Sequence, residues 1–179
     1  MAEFCRNDRW EGTMDLTLRQ FEEKDLPQMT EIWNEIVIEG VSFPGIEPLS
    51  LQEAGEMFAS QTRTVCALNG EKVVGLYILH PNNIGRCGHI ANASYGVKQG
   101  HRGEGIGEKL VLHSLNSLEE CGFRGLQFNA VVATNHRAIA LYERLGFVRV
   151  GVIPGGYHLK NGQYEDIIIF YHGLPEKGQ

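Results

Sequence analysis

Apolar and polar residues alternate over Asp15–Phe21, with Leu16 and Leu18 on one face and Gln20 extending it, which predicts a first strand. Leu26, Met29, Trp33, Ile36 and Val37 then recur at helical spacing, with Asp25 as the expected cap and Pro27 in the first turn. Glu31, Glu35 and Glu39 occupy every fourth position on another side of that helix, as a solvated face would. A Gly/Pro-bearing loop, SFPGIEP, leads to a second short helix from Ser50 to Gln61. Thr62–Leu68 and Lys72–Leu79 read as strands joined at Asn69-Gly70, a strong hairpin signal. HPNNIGRCG reads as a loop, and His89–Val97 as the next strand. Ile106, Leu110, Val111, Ser114 and Leu118 predict a helix from Gly105 to Cys121, followed by a strand over Leu126–Val132. Ala138, Leu141, Tyr142 and Leu145 mark a short helix ended by Gly146. Two last strands, Val148–Leu159 and Gln163–His172, flank Asn161-Gly162.

The resulting order, β-α-α-β-β-β-α-β-α-β-β, mixes hairpins with helical connections and implies an α/β fold built on a mixed sheet with helices on its faces. With 179 residues and 42% apolar content the chain suits one compact domain. We expect that domain over residues 15–174, between a polar, aperiodic N-terminal tail (1–14) and a short C-terminal tail (175–179). No internal repeat is present. A formal charge of -6 argues against a general nucleic-acid surface and suits a cationic or amine-bearing small ligand. No apolar run approaches the roughly 20 residues of a membrane span. The opening MAEFCRNDRWEGT lacks an apolar signal core, which points to the cytoplasm. Cys5, Cys66, Cys87 and Cys121 form no CxxC pair, so neither a disulfide framework nor a metal site is expected, and Cys121 suits a buried small hydrophobe.

The densest chemical signal is VKQGHRGEGIGEKL, where Gly100, Gly103, Gly105 and Gly107 precede a helix. Glycine costs conformational entropy. A strand, a glycine turn and a helix N-terminus together form an anion site, in which backbone N–H groups converge and the helix dipole favours negative charge. A Walker loop would end in Gly-Lys-Ser/Thr, whereas this stretch continues Gly107-Glu108-Lys109. The spacing and mid-chain position do not fit a dinucleotide fingerprint either. A glycine turn that binds nothing is the remaining alternative.

Arg102-x-x-Gly105-x-Gly107 resembles the pyrophosphate-binding signature of the GCN5-related N-acetyltransferase (GNAT) family. Asn135-His-Arg-Ala138-Ile-Ala-Leu-Tyr142-Glu-Arg-Leu-Gly146-Phe147 is similar to that family's second signature, and the element order agrees from Asp15 onward. The resemblance implies a mostly antiparallel, twisted sheet of about seven strands with a splayed pair and about four helices. It also implies acetyl-CoA as acyl donor, with no metal. The pyrophosphate would lie on Arg102, Gly103, Glu104, Gly105, Ile106, Gly107 and Glu108, and the pantetheine arm along Tyr95, Gly96 and Val97. Asn135 and Ala138 would meet that arm, and Tyr142 would point at the sulfur and protonate the leaving thiolate. A packing role in the Ala138/Leu141/Leu145 stripe is the other reading of Tyr142.

Asn92, Asn129 and Asn135, with the block HPNNIGRCGHIANASYGV, are similar to the fungal proline-analogue N-acetyltransferases, which acetylate azetidine-2-carboxylate and related imino acids. That likeness implies that Asn92 meets the substrate carboxylate and that Asn129 lines the reacting centre, with Trp33 and Phe43 shaping the acceptor site. Asparagine in a strand can also serve a bulge where strands splay. Glu35, in a Trp33-Asn-Glu35 segment resembling phosphinothricin-type acetyltransferases, and His89 are the candidate bases. The expected acceptor is a small-molecule amine, and an amino or imino acid is the finer expectation. A protein or peptide N-terminus, a polyamine or antibiotic amine, and an acyl-CoA sensor without turnover are the alternatives. Among partners we expect no nucleic acid and no membrane, with a homodimer left open.

Overall fold

The computed structural model describes residues 16–175. Asp15, the expected tail 1–14 and all but Pro175 of the expected tail 175–179 lie outside the described residues. Seven strands form one sheet: β1 (Leu16–Gln20), β2 (Arg63–Asn69), β3 (Lys72–Pro81), β4 (Ile90–Val97), β5 (Gly125–Val132), β6 (Val148–His158) and β7 (Tyr164–Gly173). Their spatial order is β1-β2-β3-β4-β5-β7-β6, and every neighbouring pair is antiparallel except β4 and β5. Four helices cover it: α1 (Leu26–Glu39), α2 (Leu51–Ala59), α3 (Ile106–Ser117) and α4 (His136–Arg144).

Two apolar layers result. On one face Met29, Ile32, Ile36 and Phe58 of α1 and α2 pack on Cys66, Leu76 and Ile78. On the other, Ile106, Leu110 and Ile139 of α3 and α4 pack on Tyr77, Leu79, Phe128 and Phe170. The predicted turns form as read. Gly70 takes φ +61 between β2 and β3, and Gly162 takes φ +84 between β6 and β7.

Three local expectations change. Asp25 does not cap α1 through its side chain. Instead Oδ2 lies 2.7 Å from the Arg19 guanidinium on β1 and accepts the Glu22 N–H at 2.8 Å. A short 3-10 turn, Glu23–Asp25, already supplies the helix start, which frees the carboxylate for this buried pair. Helix α3 ends at Ser117, because Leu118 N–H turns back to Leu115 O and Gly122 follows at φ +81. Cys121 therefore sits in the turn beyond the helix, half-buried against the core, where burial raises its thiol.

Burial alone would raise the Asp25 carboxyl, but the Arg19 bond and the Glu22 N–H outweigh it and hold it below its ordinary range. A lowered carboxyl stabilises the fold above its unfolded pKa, and that contribution is lost as pH falls through the native value. Removing one partner of a fully buried pair costs about 3–5 kcal/mol. Arg19 keeps 26% of its side chain exposed, so Arg19→Met should cost about 2–3 kcal/mol near neutral pH. Urea denaturation of both proteins at neutral and strongly acid pH checks this, with the difference shrinking in acid.

Candidate active site

Strands β4 and β5 pair only through Ile90↔Gly125 and Ala91↔Leu126, after which they separate. A register shift between Phe128 and Val131 where β5 meets β7 places Asn129 and Ala130 on a bulge, which bends β5 away from β4. The opening is a cleft of about 790 Å³. Lys98 N–H bonds Val74 O on β3 at 2.9 Å. By the two-residue alternation of a strand, Ala93, Tyr95 and Val97 then turn their peptide groups toward the cleft. An extended ligand arm would find an unpaired strand edge there, and an oxyanion would find N–H donors.

The glycine loop forms the mouth of this cleft. Gly100, Gly103 and Gly105 take φ values of +91, +91 and +78, and Gly105 is the residue at which α3 begins. A Cβ at any of the three would meet no protein atom within 4 Å. Their conformations require glycine, and the space above them is open. Arg102 lines the cleft beside these glycines, and its guanidinium pairs with Glu39 of α1 at 2.8 Å. Lys98 pairs with Glu31 at 3.1 Å, and Glu35 accepts the Gln99 N–H at 3.3 Å. All three α1 carboxylates thus fasten the loop. Glu104 bonds His101 at 2.9 Å and Glu108 pairs with Arg144 at 2.7 Å, so both acids at the rim are held by neighbours.

Tyr142 lines the cleft from α4. Gly146 takes φ +85, its N–H bonds Glu143 O, and Phe147 N–H bonds Tyr142 O at 3.0 Å, a Schellman closure that fixes the last turn of the helix. The Tyr142 ring packs 4.4 Å from Phe128 and 5.5 Å from Phe147. Its hydroxyl has no hydrogen-bond partner among the described residues. Burial raises it far above the usual phenol value, so it holds its proton. Tyr95 differs. Ser114 Oγ donates to Val111 O at 2.8 Å, so the Tyr95 hydroxyl is the donor in its 2.6 Å bond to Ser114. The Tyr142 ring packs against the core and the residue lines the cleft.

Asn135 caps α4, its Oδ1 accepting Ala138 N–H at 3.2 Å, and both residues line the cleft. Asn92 and Asn129 belong to a polar network. Asn92 Nδ2 donates to Gln127 O at 3.0 Å and to Asn82 Oδ1 at 3.4 Å, bridging the gap where the ladder stops. Asn129 Nδ2 also donates to Asn82 Oδ1, while its own Oδ1 accepts from Gln127 Nε2 at 2.8 Å. Both Asn92 donors are therefore engaged where the strands separate. Trp33 and Phe43 pack at a 47° tilt with centroids 4.5 Å apart, on the wall of a second cavity of about 380 Å³.

The structure does not bring Glu35 or His89 to either cavity. Glu35 faces the loop after β4, and His89 is exposed, its carbonyl accepting Arg124 N–H at 2.8 Å. Sequence reasoning missed Asn82 and Gln127, which hold the network together, and His80 and Ser94 on the wall of the second cavity. Asn82 sits in a stretch read only as loop. Gln127 and Ser94 are ordinary strand positions until the splay gives them a cavity to face.

Asn92→Ala should remove the bridge to Gln127 O. One net hydrogen bond is worth about 1 kcal/mol, and the freed carbonyl lies at an open cleft where water can replace the donor. We expect a melting-temperature loss of about 2–4 °C with acetyl-CoA affinity retained, measured by thermal unfolding with and without the coenzyme.

A seven-stranded mixed sheet with a splayed parallel pair, a glycine loop at its mouth and a tyrosine lining the opening is the fold of the acyltransferases it resembles. The acetyltransferase (GNAT) family pattern matches residues 10–147, and the chain belongs to that family. It is 38% identical over 104 residues to the N-acetyltransferase aca1 of Schizosaccharomyces pombe, an alignment covering 58% of this chain and 50% of that protein. The chain thus matches only half the length of that relative. Among solved structures it is similar to a GCN5-related N-acetyltransferase from Kribbella flavida (31% identity, TM-score 0.81, 89% of this chain and 98% of that one). It is also similar to a phosphinothricin acetyltransferase from Sinorhizobium meliloti in complex with AcCoA (26% identity, TM-score 0.83, 92% and 95%).

Proposed function

We propose that the protein transfers the acetyl group of acetyl-CoA to the amine of a small molecule. The observation that carries this reading is the separation of β4 from β5 after Ala91 and Leu126, with the glycine loop at its mouth and the unpaired Tyr142 hydroxyl beneath it. The coenzyme's pyrophosphate would rest on the N–H groups of residues 103–108, with Arg137 and Arg144 lining the same cleft. Its pantetheine arm would run along the free edge of β4. The neutral amine attacks the thioester carbon, the oxygen's charge is met by β4 N–H groups, and Tyr142 gives its proton to the departing sulfur.

A closed acceptor side supports a small substrate. Tyr157 of β6 donates its hydroxyl proton to Phe43 O at 2.7 Å, and the Lys160 side chain lies against Gly40. The α1–α2 loop and the β6–β7 hairpin are thereby tied together over the face a peptide would have to cross. The finer reading, an amino or imino acid, has the amide floor of Asn82, Asn92, Gln127 and Asn129 as its support. With both Asn92 donors engaged, the cleft-lining N–H left for a carboxylate within this network is the second one of Asn129. Thiol release from acetyl-CoA, measured with azetidine-2-carboxylate, its amide, spermidine and a tetrapeptide, tests both levels. We expect the imino acid to have the lowest KM, and Asn129→Ala to raise that KM without changing acetyl-CoA affinity. Efficient acetylation of the tetrapeptide alone would overturn the small-molecule reading.

A further inference from the structure

The second cavity opens on the α1/α2 face and shares Phe43, Pro44 and Ser94 with the coenzyme cleft. An acceptor entering it would meet the thioester at that junction. Its wall is made of Trp33, Phe43, Met57, Ile78, Ser94 and their neighbours, with His80 the one ionisable side chain among the described residues that line it. No charged group of the packed elements faces His80: α1 and its loop present Trp33, Val37 and Phe43, and the α2 side presents Met57 and Gln61. Ile78, Ser94 and Asn92 come from β3 and β4. Arg63 of β2 turns to the opposite side of the sheet, where it pairs with Glu120 at 2.9 Å.

The imidazole is held in one tautomer. His80 Nδ1 lies 3.0 Å from Pro81 O, and a carbonyl oxygen only accepts, so Nδ1 carries the proton. Nε2 is left with its lone pair. His80 is also the cross-strand partner of Asn92, which lines the coenzyme cleft. Side chains so paired have Cβ atoms about 5 Å apart. Half-exposure gives the ring a route for proton exchange with solvent.

We propose that His80 is the proton acceptor for the attacking amine, an inference that rests on the acetyltransferase reading of the site. The nitrogen lone pair forms the N–C bond, and the C–S electron pair leaves with sulfur, which takes the Tyr142 hydroxyl proton. His80 Nε2 takes the first proton from the bound ammonium before attack, directly or through one water, and releases it to solvent. The second nitrogen proton follows the same route once the N–C bond has formed. Exchange with solvent then returns that proton to the phenolate, so the products are the N-acetyl amine and the free thiol. Glu35 and His89, the bases expected from sequence, are not placed to take it.

The test is the pH dependence of kcat/KM for the full chain with acetyl-CoA and azetidine-2-carboxylate, spermidine or a tetrapeptide, whichever is turned over. Wild type, which accepts a proton from the ammonium form, should hold a level kcat/KM from neutral pH upward. His80→Gln should lose about 10²–10³-fold at neutral pH. It should then recover about tenfold per pH unit until the amine itself is deprotonated. Added imidazole should restore His80→Ala, and both variants should keep wild-type acetyl-CoA affinity, which separates a proton-transfer role from misfolding. A variant with the wild-type profile and rate, or an equal loss at every pH without imidazole rescue, overturns the assignment of His80 alone. Absence of thiol release from wild type with every acceptor overturns the acetyltransferase reading, and this inference with it.

Discussion

Tyr142→Phe should leave acetyl-CoA affinity close to wild type and lower turnover by about 10²–10⁴-fold. The phenyl ring fills the same space between Phe128, Phe147 and Phe170, so packing and the position of α4 are preserved. Only the hydroxyl is lost, and it bonds no described protein group. Stability should therefore change little, since Tyr142 lines the open cleft, where water can meet its hydroxyl. In the transition state the loss is large, because the departing thiolate is left without the proton donor the site reading assigns to it. Stopped-flow thiol release at saturating acetyl-CoA separates the two quantities. Unchanged turnover would make Tyr142 a packing residue and assign the sulfur's proton to water.

The second large effect is expected at Gly105. Gly105→Val places a β-branched residue at φ +78, a region where such side chains are genuine outliers, at the point where α3 starts. The strain costs on the order of 1–3 kcal/mol. Because no protein atom lies within 4 Å of the new Cβ, the side chain projects into the open space assigned to the pyrophosphate. We expect at least about a hundredfold weaker acetyl-CoA binding, equivalent to roughly 2.7 kcal/mol. Calorimetric titration reads the affinity, and thermal unfolding should lose the coenzyme-dependent rise that mass action gives the wild type. Gly107→Ala is the control. Gly107 lies within the helix at ordinary φ, and its Cβ would meet only Val97 at 3.8 Å, so the protein should tolerate it.

Much of this was legible along the chain because it depends on near neighbours. The stripe from Leu26 to Val37, the turns at Gly70 and Gly162 and the glycine run before α3 are all local patterns, and each formed within a residue or two of its expected place. Asp25 shows where local reading stops. Asp-x-Pro is a capping pattern, yet Arg19, six residues earlier on β1, lies beside Asp25 in space, and the ion pair won the carboxylate. The same limit hid the acceptor side. That His80 stands opposite Asn92, and that Asn82 joins Asn92 to Asn129, are consequences of the β3/β4 register and of the β5 bulge. No periodicity within either strand encodes them. Glu35 was singled out by its neighbours Trp33 and Asn34, but the helix turns its carboxylate to Gln99 and leaves the cavities to other residues.

The most direct test of acetyl transfer at this site is stoichiometric. Purified protein is mixed with acetyl-CoA carrying a labelled acetyl group and with a single small amine. The free coenzyme A thiol and the labelled N-acetyl product are then counted in the same sample. We predict equal amounts of both, formed over many turnovers and lost together in Tyr142→Phe. Tight acetyl-CoA binding with no thiol and no labelled amine, for small amines and peptides alike, would contradict the account and leave a coenzyme-binding protein without acetyl transfer.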